Sequence, residues 1–435
     1  MKKSVSSSLA RLVLGPVMAF GFGALSLSVS LSSSATAATA DWPQWRGPNR
    51  DGASAEKGLL REWPKAGPKL VWQVRNVGAG FSTPAVVGER IYLISNDGVD
   101  NEYVQALSVA DGKSVWTTTL GKVGSPDQKP SYPGSRSTPT VDGAVLFALS
   151  SDGDLTALET TSGKLRWKKN LRSDFAGKPG RWAYSESPLV DGNTLVCTPG
   201  GGEATVLALN KQTGAVLWKS VLPDGDEAGY SSPMLAQVGG AKQYVQIAQK
   251  GIVGIDAQTG KSLWHYNKAV SRFGANIPSP LVMGDRIYTS GAGTGGAILK
   301  LKGQGAAVTA EELFFEAKYP LAIGGVVKVG EFLYGTTGQA LQCVDLSTGK
   351  IKWEERSIGT ASLCTADGLL FLHGENGEVA LVEASPEGYH EKGRFTPPTP
   401  PERANQMEKA WAYPVLANGR LYLRDLNVLW SFGVK

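Results

Sequence analysis

The stretch GIDAQTGKS at residues 254–262 carries the residue types of a loop that cradles nucleotide phosphates. That loop needs four residues between its first glycine and the Gly-Lys pair, followed by a helix, so that backbone N–H groups and the lysine converge on the phosphates. Five residues separate Gly254 from Gly260, and a strand-like run follows Lys261. The spacing therefore argues against nucleotide binding.

Other residues that could bind metals show no ligand pattern. His265, His373 and His390 lack the spacing of a zinc site. The stretches SSDGD at 150–154 and PDGDE at 223–227 resemble calcium loops only loosely, because they lack the twelve-residue order of ligands. Asp-Gly is also common turn chemistry. We therefore predict turns there, and no metal site.

The Gly-Lys pair belongs instead to an eleven-residue frame that occurs five times. The frame runs from a small residue through an Asp-like position, a turn and a glycine to a tryptophan. The copies are ALSVADGKSVW ending at Trp116, ALETTSGKLRW at Trp167, ALNKQTGAVLW at Trp218, GIDAQTGKSLW at Trp264 and CVDLSTGKIKW at Trp353. Such recurrence predicts a repeat architecture in which the frame is structural.

A hairpin pattern of two apolar runs around a glycine-containing turn occurs eight times. These patterns begin at Ser82, Ser137, Ser187, Ser232, Ser279, Ile323, Thr360 and Tyr413. One hairpin, a short strand and a Trp-bearing strand make four strands in roughly 45 residues, the size of a propeller blade. We predict an all-β, eight-bladed propeller, with seven blades as the alternative. The run KLVWQV at 69–74 is expected to complete the last blade and close the ring.

The frame Ala-x-Asp-x-x-Thr-Gly-Lys-x-x-Trp resembles the tryptophan-docking repeat of the PQQ-like propellers, where PQQ is pyrroloquinoline quinone. That group includes quinoprotein alcohol dehydrogenases and BamB-like outer-membrane assembly proteins. The stretch DWPQWRGPNRDG at 41–52 also resembles the start of many secreted proteins of this kind. The resemblance implies that the tryptophans dock one blade against the next. They are Trp72, Trp116, Trp167, Trp218, Trp264 and Trp353, with Phe315 and Phe395 as expected substitutes in the two remaining blades.

The funnel where the innermost strands begin is the usual site of a propeller. The residues just before each hairpin are therefore the candidates for ligand binding. They are Phe81, Arg136, Tyr184, Glu186, Tyr230, Asn276, Trp411 and Tyr413, with Ile323 and Ile358 in equivalent places. Aromatic rings with an Arg, a Glu and an Asn suit a polar ring-shaped ligand or a peptide. The alternative is that these side chains only fill the funnel.

The resemblance leaves two kinds of function to compare. A non-catalytic binding or protein-interaction scaffold is the first, and no catalytic residues are predicted. The second is a PQQ-dependent dehydrogenase, whose family holds PQQ between a Trp and two vicinal cysteines beside a calcium ion; Glu186 and Asn276 would be the calcium candidates. The sequence lacks adjacent cysteines and an Asp before the sixth hairpin, YPLAIGG. A carbohydrate-binding propeller, suggested by the aromatics, is a third alternative.

The amino terminus has the layout of a secretory signal peptide. Basic residues precede an apolar stretch, and the small residues Ala38 and Ala40 offer a cleavage site. We expect residues 1–40 to be a signal peptide, 41–68 a lead-in segment and 69–435 the propeller, in the periplasm or outside the cell. Cleavage would lower the formal charge from +5 to +2, which gives no basis for binding nucleic acid.

The first cysteine is Cys197, so no cysteine near the cleavage point could carry a lipid anchor. Cys197, Cys343 and Cys364 lie in apolar runs, where buried free thiols are expected. One disulfide with an odd cysteine remains the alternative. We expect a monomer whose partners are envelope proteins or a small polar ligand.

Overall fold

The computed structural model describes residues 40–125, 134–222, 226–406 and 408–435. The predicted signal peptide, apart from Ala40, and residues 223–225 of the PDGDE stretch lie outside these ranges. Within them, 32 strands form eight four-stranded antiparallel sheets. No helix in the described ranges is long and apolar enough to cross a membrane.

The strands follow the hairpin and frame pattern along the chain. The first blade has β2 (Ala85–Val87), β3 (Arg90–Asp97), β4 (Asn101–Ser108) and β5 (Ser114–Gly121), after β1 (Lys69–Arg75). The second has β6 (Thr140–Asp142), β7 (Val145–Leu149), β8 (Asp154–Glu159) and β9 (Leu165–Asn170), and α1 (Leu171–Phe175) follows. The third has β10 (Leu189–Asp191), β11 (Thr194–Cys197), β12 (Val206–Asn210) and β13 (Val216–Ser220). The fourth has β14 (Met234–Val238), β15 (Ala241–Ala248), β16 (Gly251–Asp256) and β17 (Ser262–Tyr266).

The remaining blades repeat this order. The fifth has β18 (Leu281–Met283), β19 (Arg286–Gly291), β20 (Gly295–Lys302) and, after a short 3-10 helix (Gly305–Ala307), β21 (Thr309–Glu316). The sixth has β22 (Val326–Val329), β23 (Phe332–Thr336), β24 (Leu341–Asp345) and β25 (Ile351–Glu355). The seventh has β26 (Ala361–Ala366), β27 (Leu369–Gly374), β28 (Val379–Glu383) and β29 (His390–Phe395). The eighth has β30 (Val415–Ala417), β31 (Arg420–Asp425) and β32 (Val428–Gly433).

The eighth blade takes its outer strand from the other end of the chain. β1 pairs antiparallel with β32, with Gln73 opposite Trp430, so the sheet order is β1-β32-β31-β30. This pairing gives the eighth blade the four strands of the other blades and joins the two ends of the described chain in one sheet. The prediction of eight blades closed by the amino-terminal strand is confirmed, and the seven-bladed alternative is wrong.

The turn that resembled a phosphate loop is held by local hydrogen bonds. The Asp256 carboxylate oxygen Oδ1 accepts from the backbone N–H groups of Gln258 and Thr259, at 3.1 and 2.8 Å, and from the Thr259 hydroxyl. Gly260 has a φ of 73°, a conformation that glycine adopts without steric cost. The Asp, Thr and Gly of the frame therefore close a tight turn between β16 and β17.

Tryptophan indoles join neighbouring blades in most places where the frame occurs. The indole N–H donates to a backbone carbonyl of the following blade, and in the first to fourth blades the turn glycine lies against the ring of the preceding tryptophan. The bonds are Trp72 to Val109 (2.9 Å), Trp116 to Thr160 (3.0 Å), Trp167 to Lys211 (2.9 Å), Trp218 to Ala257 (3.1 Å) and Trp353 to Ser385 (2.9 Å). Trp264 differs, since its indole donates to Gln243 of its own blade at 2.6 Å.

In the fifth blade the prediction of Phe315 as the substitute for tryptophan is wrong by one residue. A Cβ placed on Gly349 of the sixth blade would lie 2.4 Å from the ring of Phe314, as the turn glycines of the first to fourth blades would meet tryptophan. Phe315 packs on the other side, against the core between the fourth and fifth blades. Phe314 pairs with Ile298 just before the register shift at Leu299, which is the place that Trp116 takes opposite Ala106 in the first blade. Phe395, the other expected substitute, lies against Gly67 ahead of β1.

The hydrophobic core is divided among the spaces between blades. Each buried cluster contains residues of adjacent sheets. One cluster, for example, joins Phe147 and Leu155 of the second blade to Leu195 and Leu207 of the third. Cys197, Cys343 and Cys364 are buried and unbonded to one another, as the sequence predicted. Packing between sheets, rather than disulfides, therefore holds the described part of the ring together.

Candidate functional site

The segment that we expected to lead into the first strand lies inside the central channel. The backbone of Trp42 pairs with that of Val86 in β2, at 2.7 and 2.8 Å, and Asp41 accepts from the backbone N–H of Gly88 at 3.0 Å. β2 begins at the funnel, so Asp41 lies at the opposite end of the channel. From there the chain runs towards the funnel, where the indole of Trp45 donates to the Ser279 hydroxyl at 3.2 Å.

The same segment then returns down the channel along the seventh and eighth blades. Gly52 and Ser54 exchange backbone hydrogen bonds of 2.8 Å with Thr365 of β26, and the Ser54 hydroxyl donates to the carbonyl of Leu416 in β30. Residues 41–54 thus form a hairpin-shaped plug, which we call the channel plug. It forms the floor of the funnel and makes hydrogen bonds to seven of the eight blades.

Serine hydroxyls link consecutive blades around this floor. Ser187 accepts from the backbone N–H of Thr138 at 2.8 Å, Ser232 accepts from Ser187 at 2.9 Å, and Ser279 accepts from Ser232 at 2.8 Å. These are the serines that open the predicted hairpins. Their recurrence in the sequence therefore reflects bonding between the second to fifth blades, where these bonds hold the starts of the innermost strands next to one another.

A cavity of about 310 Å³ lies in the funnel above the channel plug. Six of its lining residues are aromatic: Trp45, Phe81, Trp182, Tyr230, Trp411 and Tyr413. The others are Ala275, Ile277, Ile323, Arg136, Ser185 and Ser232. A mostly apolar, concave surface with a few polar groups is the usual form of a small-molecule site.

The aromatic rings of the cavity support one another in pairs. Tilted and edge-on contacts of this kind add about 0.5–1.5 kcal/mol beyond the area that each pair buries. The pairs are Trp45 with Tyr413 (centroids 4.5 Å apart), Phe81 with Trp411 (5.0 Å) and Trp182 with Tyr230 (5.7 Å). The Tyr413 hydroxyl is fixed by a bond of 2.7 Å to the carbonyl of Ile323. The walls are thus organised before any ligand binds.

Arg136 is the charged side chain among the described residues that line the cavity. Its Nη1 donates to the carbonyl oxygens of Gly134 and Trp182, at 3.1 and 3.2 Å. Its guanidinium carbon lies 5.8 Å from the centre of the Phe81 ring, within the range of a cation–π contact. These contacts place a permanent positive charge at the cavity wall.

Two further arginines belong to the channel plug and lie below the cavity. Arg46 is 1% exposed and donates to the backbone carbonyls of Asp51 and Val326, and its guanidinium carbon lies 5.8 Å from the Tyr413 ring centre. Arg50 is 2% exposed and donates to the carbonyls of Ser187 and Pro188, at 2.8 and 3.1 Å. Burial lowers the pKa of both, that of Arg50 to about 9.

Three of the predicted funnel residues lie behind the cavity wall instead of on it. Both oxygens of Glu186 accept hydrogen bonds, from the backbone N–H of Thr198 and from the amide of Gln246, and burial raises its pKa to about 7. Tyr184 donates its hydroxyl to the carbonyl of Pro199 at 2.8 Å, and burial raises its pKa. These polar groups hold loops in place.

The side chain of Asn276 also forms its hydrogen bonds within the protein. Its Oδ1 accepts from the backbone N–H of Ser271 at 2.7 Å, and its Nδ2 donates to the carbonyls of Ala248 and Gln249, at 2.9 and 3.0 Å. The candidates that do line the cavity are Phe81, Arg136, Tyr230, Trp411 and Tyr413. The structure adds Trp182, which stands two residues before Tyr184 in the same loop, and Trp45, which reaches the cavity only because the channel plug turns there.

The donor groups do not fit calcium and PQQ. A calcium ion needs carboxylate and carbonyl oxygens that converge on one point, whereas Glu186 and Asn276 direct theirs to backbone and amide N–H groups. Among the described residues, no group of three or more His, Cys, Asp or Glu could hold a metal ion. The three cysteines are separate and buried, so none stacks on a cofactor in the cavity.

Comparison with known proteins places the chain in a family. Residues 52–121 and 100–355 match the family model described as "Outer membrane protein assembly factor BamB". The BamB of Salmonella typhimurium is 30% identical over 123 residues, which is 28% of each chain, so the match spans less than a third of that relative's length. The crystal structure of BamB from Moraxella catarrhalis has a TM-score of 0.60 at 16% identity and covers 85% of this chain and 98% of its own.

A quinohemoprotein alcohol dehydrogenase from Pseudomonas putida HK5 is similar to this chain in fold, with a TM-score of 0.63 at 13% identity over 91% of this chain and 80% of its own. At such identities both structures show the propeller fold alone. The family model covers most of the ring and carries the assignment. The chain belongs to the PQQ-like propeller family described as outer membrane protein assembly factor BamB.

Proposed function

We propose that this chain is an exported, non-catalytic propeller that binds a ligand or a partner protein at its funnel, in the periplasm or cell envelope. The observation that supports this most is the cavity above the channel plug, whose aromatic walls are fixed by contacts within the protein. The oxygen atoms that a dehydrogenase would use for calcium are instead occupied by structural hydrogen bonds. Binding without chemistry is the function that this arrangement favours.

Envelope proteins that take part in outer-membrane assembly are the partners that we propose. Relatives of this chain are described as outer membrane protein assembly factors, and the predicted signal peptide supports export. A projecting side chain of such a partner would enter the funnel, while the rim of the blades supplied the surrounding contacts. Binding energy at protein interfaces is concentrated in aromatic anchors of this kind.

Purification from the natural host tests this proposal. The protein is recovered from detergent-solubilised envelopes, and the proteins that accompany it are identified by mass spectrometry. We expect outer-membrane assembly proteins with the natural chain and fewer of them with Trp182→Ala. Leu165→Ala, at an exposed position on an outer strand, is the control and should retain them. Recovery of no assembly protein would contradict the proposed partner.

A second experiment separates binding from oxidation chemistry. PQQ and calcium are added to the purified protein, and the absorbance spectrum and the alcohol-dependent reduction of a dye are recorded. We expect neither a stoichiometric cofactor spectrum nor turnover. A spectrum of one PQQ per chain together with dye reduction would show a dehydrogenase, and the proposal would be abandoned.

A further inference from the structure

We infer that a cleft between the first and eighth blades binds a short oligosaccharide that is neutral or carries amino groups. The cleft shares no lining residue with the funnel cavity, so this site is separate from the one in the proposed function. Its size, the unused hydrogen-bonding groups on its walls and the sign of the charge around it favour this class of ligand.

The cleft lies towards the funnel end of the strands. One wall is formed by β4 and β5, the outer strands of the first blade, together with the turn between β3 and β4. The turn between β31 and β32 and parts of the connection before β30 form the other wall. The volume is about 810 Å³, in the upper part of the range of about 300–1,000 Å³ that is usual for small-molecule sites, so a ligand of several rings fits.

Gln105 of β4 presents a fixed acceptor at the wall of the cleft. Its side chain is nearly buried, with 6% of the residue exposed. The amide Nε2 donates to the carbonyl of Val77 and, at 3.1 Å, to the hydroxyl of Ser95. These bonds hold the amide in one orientation, and its Oε1 accepts no hydrogen bond from the described residues. A nearly buried acceptor without a donor is costly, so a hydroxyl group of a ligand would be bound favourably there.

Other amide and hydroxyl groups around Gln105 are also unused. The side chains of Asn101, Tyr103 and Thr117 line the cleft and form no hydrogen bond within the described part of the chain. Asn427 makes only a long bond, of 3.5 Å, to Asn76. Amides and hydroxyls both donate and accept hydrogen bonds, as do the neighbouring hydroxyls of a sugar ring. The ring of Tyr103 adds a flat surface for the C–H groups of such a ring.

The charged groups on the walls of the cleft are carboxylates. They belong to Asp97, Glu402 and Glu408, and no lysine or arginine is among the described residues that line the cleft. Carboxylates accept hydrogen bonds from hydroxyl and amino groups and repel other anions. An acidic sugar or a phosphorylated ligand is therefore disfavoured.

The arginines next to the cleft direct their donors to the protein itself. Arg403 donates to the carboxylate of Asp425 at 2.6 Å and to the backbone carbonyl of Glu408 at 3.0 Å. Arg424 is buried, and its Nη2 donates to the carbonyls of Gly78 and Ala79, both at 3.1 Å. These bonds hold the walls in place, and they leave the carboxylates to set the charge that a ligand meets.

The lining suits other classes of ligand less well. Protein partners usually insert aromatic or aliphatic anchors into apolar pockets, whereas the apolar side chains that line this cleft are Ala79, Ala404 and Leu426. A metal ion lacks ligands, because no group of three or more His, Cys, Asp or Glu among the described residues could hold one. A compact molecule rich in hydroxyl groups fits the walls best.

Calorimetric titration of the purified protein with defined probes tests the inference. The neutral probes are maltotriose, cellotriose and the trimer of N-acetylglucosamine, and the amino probe is the trimer of glucosamine. Trigalacturonate is the acidic probe, and a peptide of five lysines is the basic peptide probe. We expect one or more of the neutral and amino trimers to bind once per chain with a Kd of about 1 mM or below, and trigalacturonate to bind at least about tenfold more weakly.

Variants locate the bound sugar. Tyr103→Phe removes a hydroxyl that no described residue bonds, and Asn101→Ala removes an unused amide. Each should weaken binding by about two- to tenfold, as the loss of one hydrogen bond does. Asn267→Ala, at an exposed asparagine directly after β17, is the matched control, and Trp182→Ala controls for the funnel cavity. Both should leave the affinity unchanged, and circular dichroism with thermal unfolding confirms that each variant is folded.

Each other outcome overturns the inference. If no neutral or amino trimer bound, the cleft would not be a sugar site, and tight binding of trigalacturonate would contradict the role of the carboxylates. If the lysine peptide bound more tightly than every sugar, the cleft would be a site for basic peptides. A sugar whose affinity depended on Trp182 and not on Asn101 or Tyr103 would lie in the funnel. The proposed function concerns the funnel alone, so failure of the cleft as a sugar site would leave it standing.

Discussion

The indole Nε1 of Trp116 donates a hydrogen bond of 3.0 Å to the carbonyl oxygen of Thr160, across the boundary between the first and second blades. The same ring lies over Gly163, where an added Cβ would approach the indole carbon Cε3 to 2.5 Å. The tryptophan of one blade and the turn glycine of the next thus form a single contact. It exists only when the two blades are docked.

Substitution of either residue at this contact should destabilise the propeller. We expect Trp116→Ala to cost about 3–5 kcal/mol, as removal of a large packed aromatic ring does. Gly163→Ala should also destabilise, because the new Cβ meets the ring. Gly143→Ala is a matched control in the same blade, since Gly143 also has a positive φ, of 57°, but has no atom within 4 Å of its Cβ position. Thermal unfolding should show a larger loss for Gly163→Ala, and equal losses would contradict the docking role.

Ring closure depends on β32, which pairs with both β1 and β31. Removing residues 428–435 should leave two unpaired edges and cause association or unfolding. Size-exclusion chromatography with light scattering measures this. The control is Lys328→Ala, which removes an ion pair with Glu331 between two exposed side chains and should cost less than about 1 kcal/mol. A truncated protein that stayed monomeric and folded would show that the terminal strand pairing is dispensable.

The stability of the channel plug should depend on the hydrogen bonds of Arg50 more than on the volume of its side chain. Arg50→Met keeps most of the side-chain volume but removes the donor to the Ser187 carbonyl, whereas the Pro188 carbonyl keeps its hydrogen bond from the Thr140 hydroxyl. A buried group without its partner costs about 1–3 kcal/mol, so a loss of about that size is expected in urea unfolding. Arg50→Lys should rescue only part of it, because one ammonium cannot replace the planar fork. Wild-type stability in Arg50→Met would exclude this role.

Stability should fall as pH rises through neutrality because of Glu102. Burial raises its pKa to about 7, against hydrogen bonds from Ser151 that oppose the rise. The folded state therefore prefers the protonated carboxyl. Its stabilising contribution is complete below the unfolded pKa of about 4.5 and is lost as pH rises through about 7, on the order of 3 kcal/mol.

Unfolding free energies at pH 5 and pH 8 check this prediction. Glu102→Gln cannot ionise and should flatten the dependence, although Glu186, whose pKa is raised to the same value, keeps part of it. Glu331→Gln, at an exposed carboxyl, controls for the loss of one acid. A variant with the full dependence of the natural protein would rule out Glu102 as a source.

The sequence by itself determined the blades and their register. Five copies of the Gly-x-x-x-Trp frame and eight hairpin patterns are local signals, since turn chemistry and alternating apolar residues act within a few positions of the chain. The spacing between Gly254 and Gly260 is also a local signal, and it argued against nucleotide binding by Gly260 and Lys261. The serines that open the hairpins were visible as a repeat as well, but their bonds to neighbouring blades were not.

The tertiary structure alone decided what occupies the channel and which side chains reach the cavity. Trp45, Arg46 and Arg50 look like part of a short lead-in, and they become a floor only through bonds to residues more than a hundred positions away. Phe314, and not Phe315, takes the position opposite Ile298 that tryptophan takes in other blades, and it faces the next blade. Successive residues of a strand point to opposite faces, so small differences in register and loop path, set by distant packing, determine which groups meet a ligand.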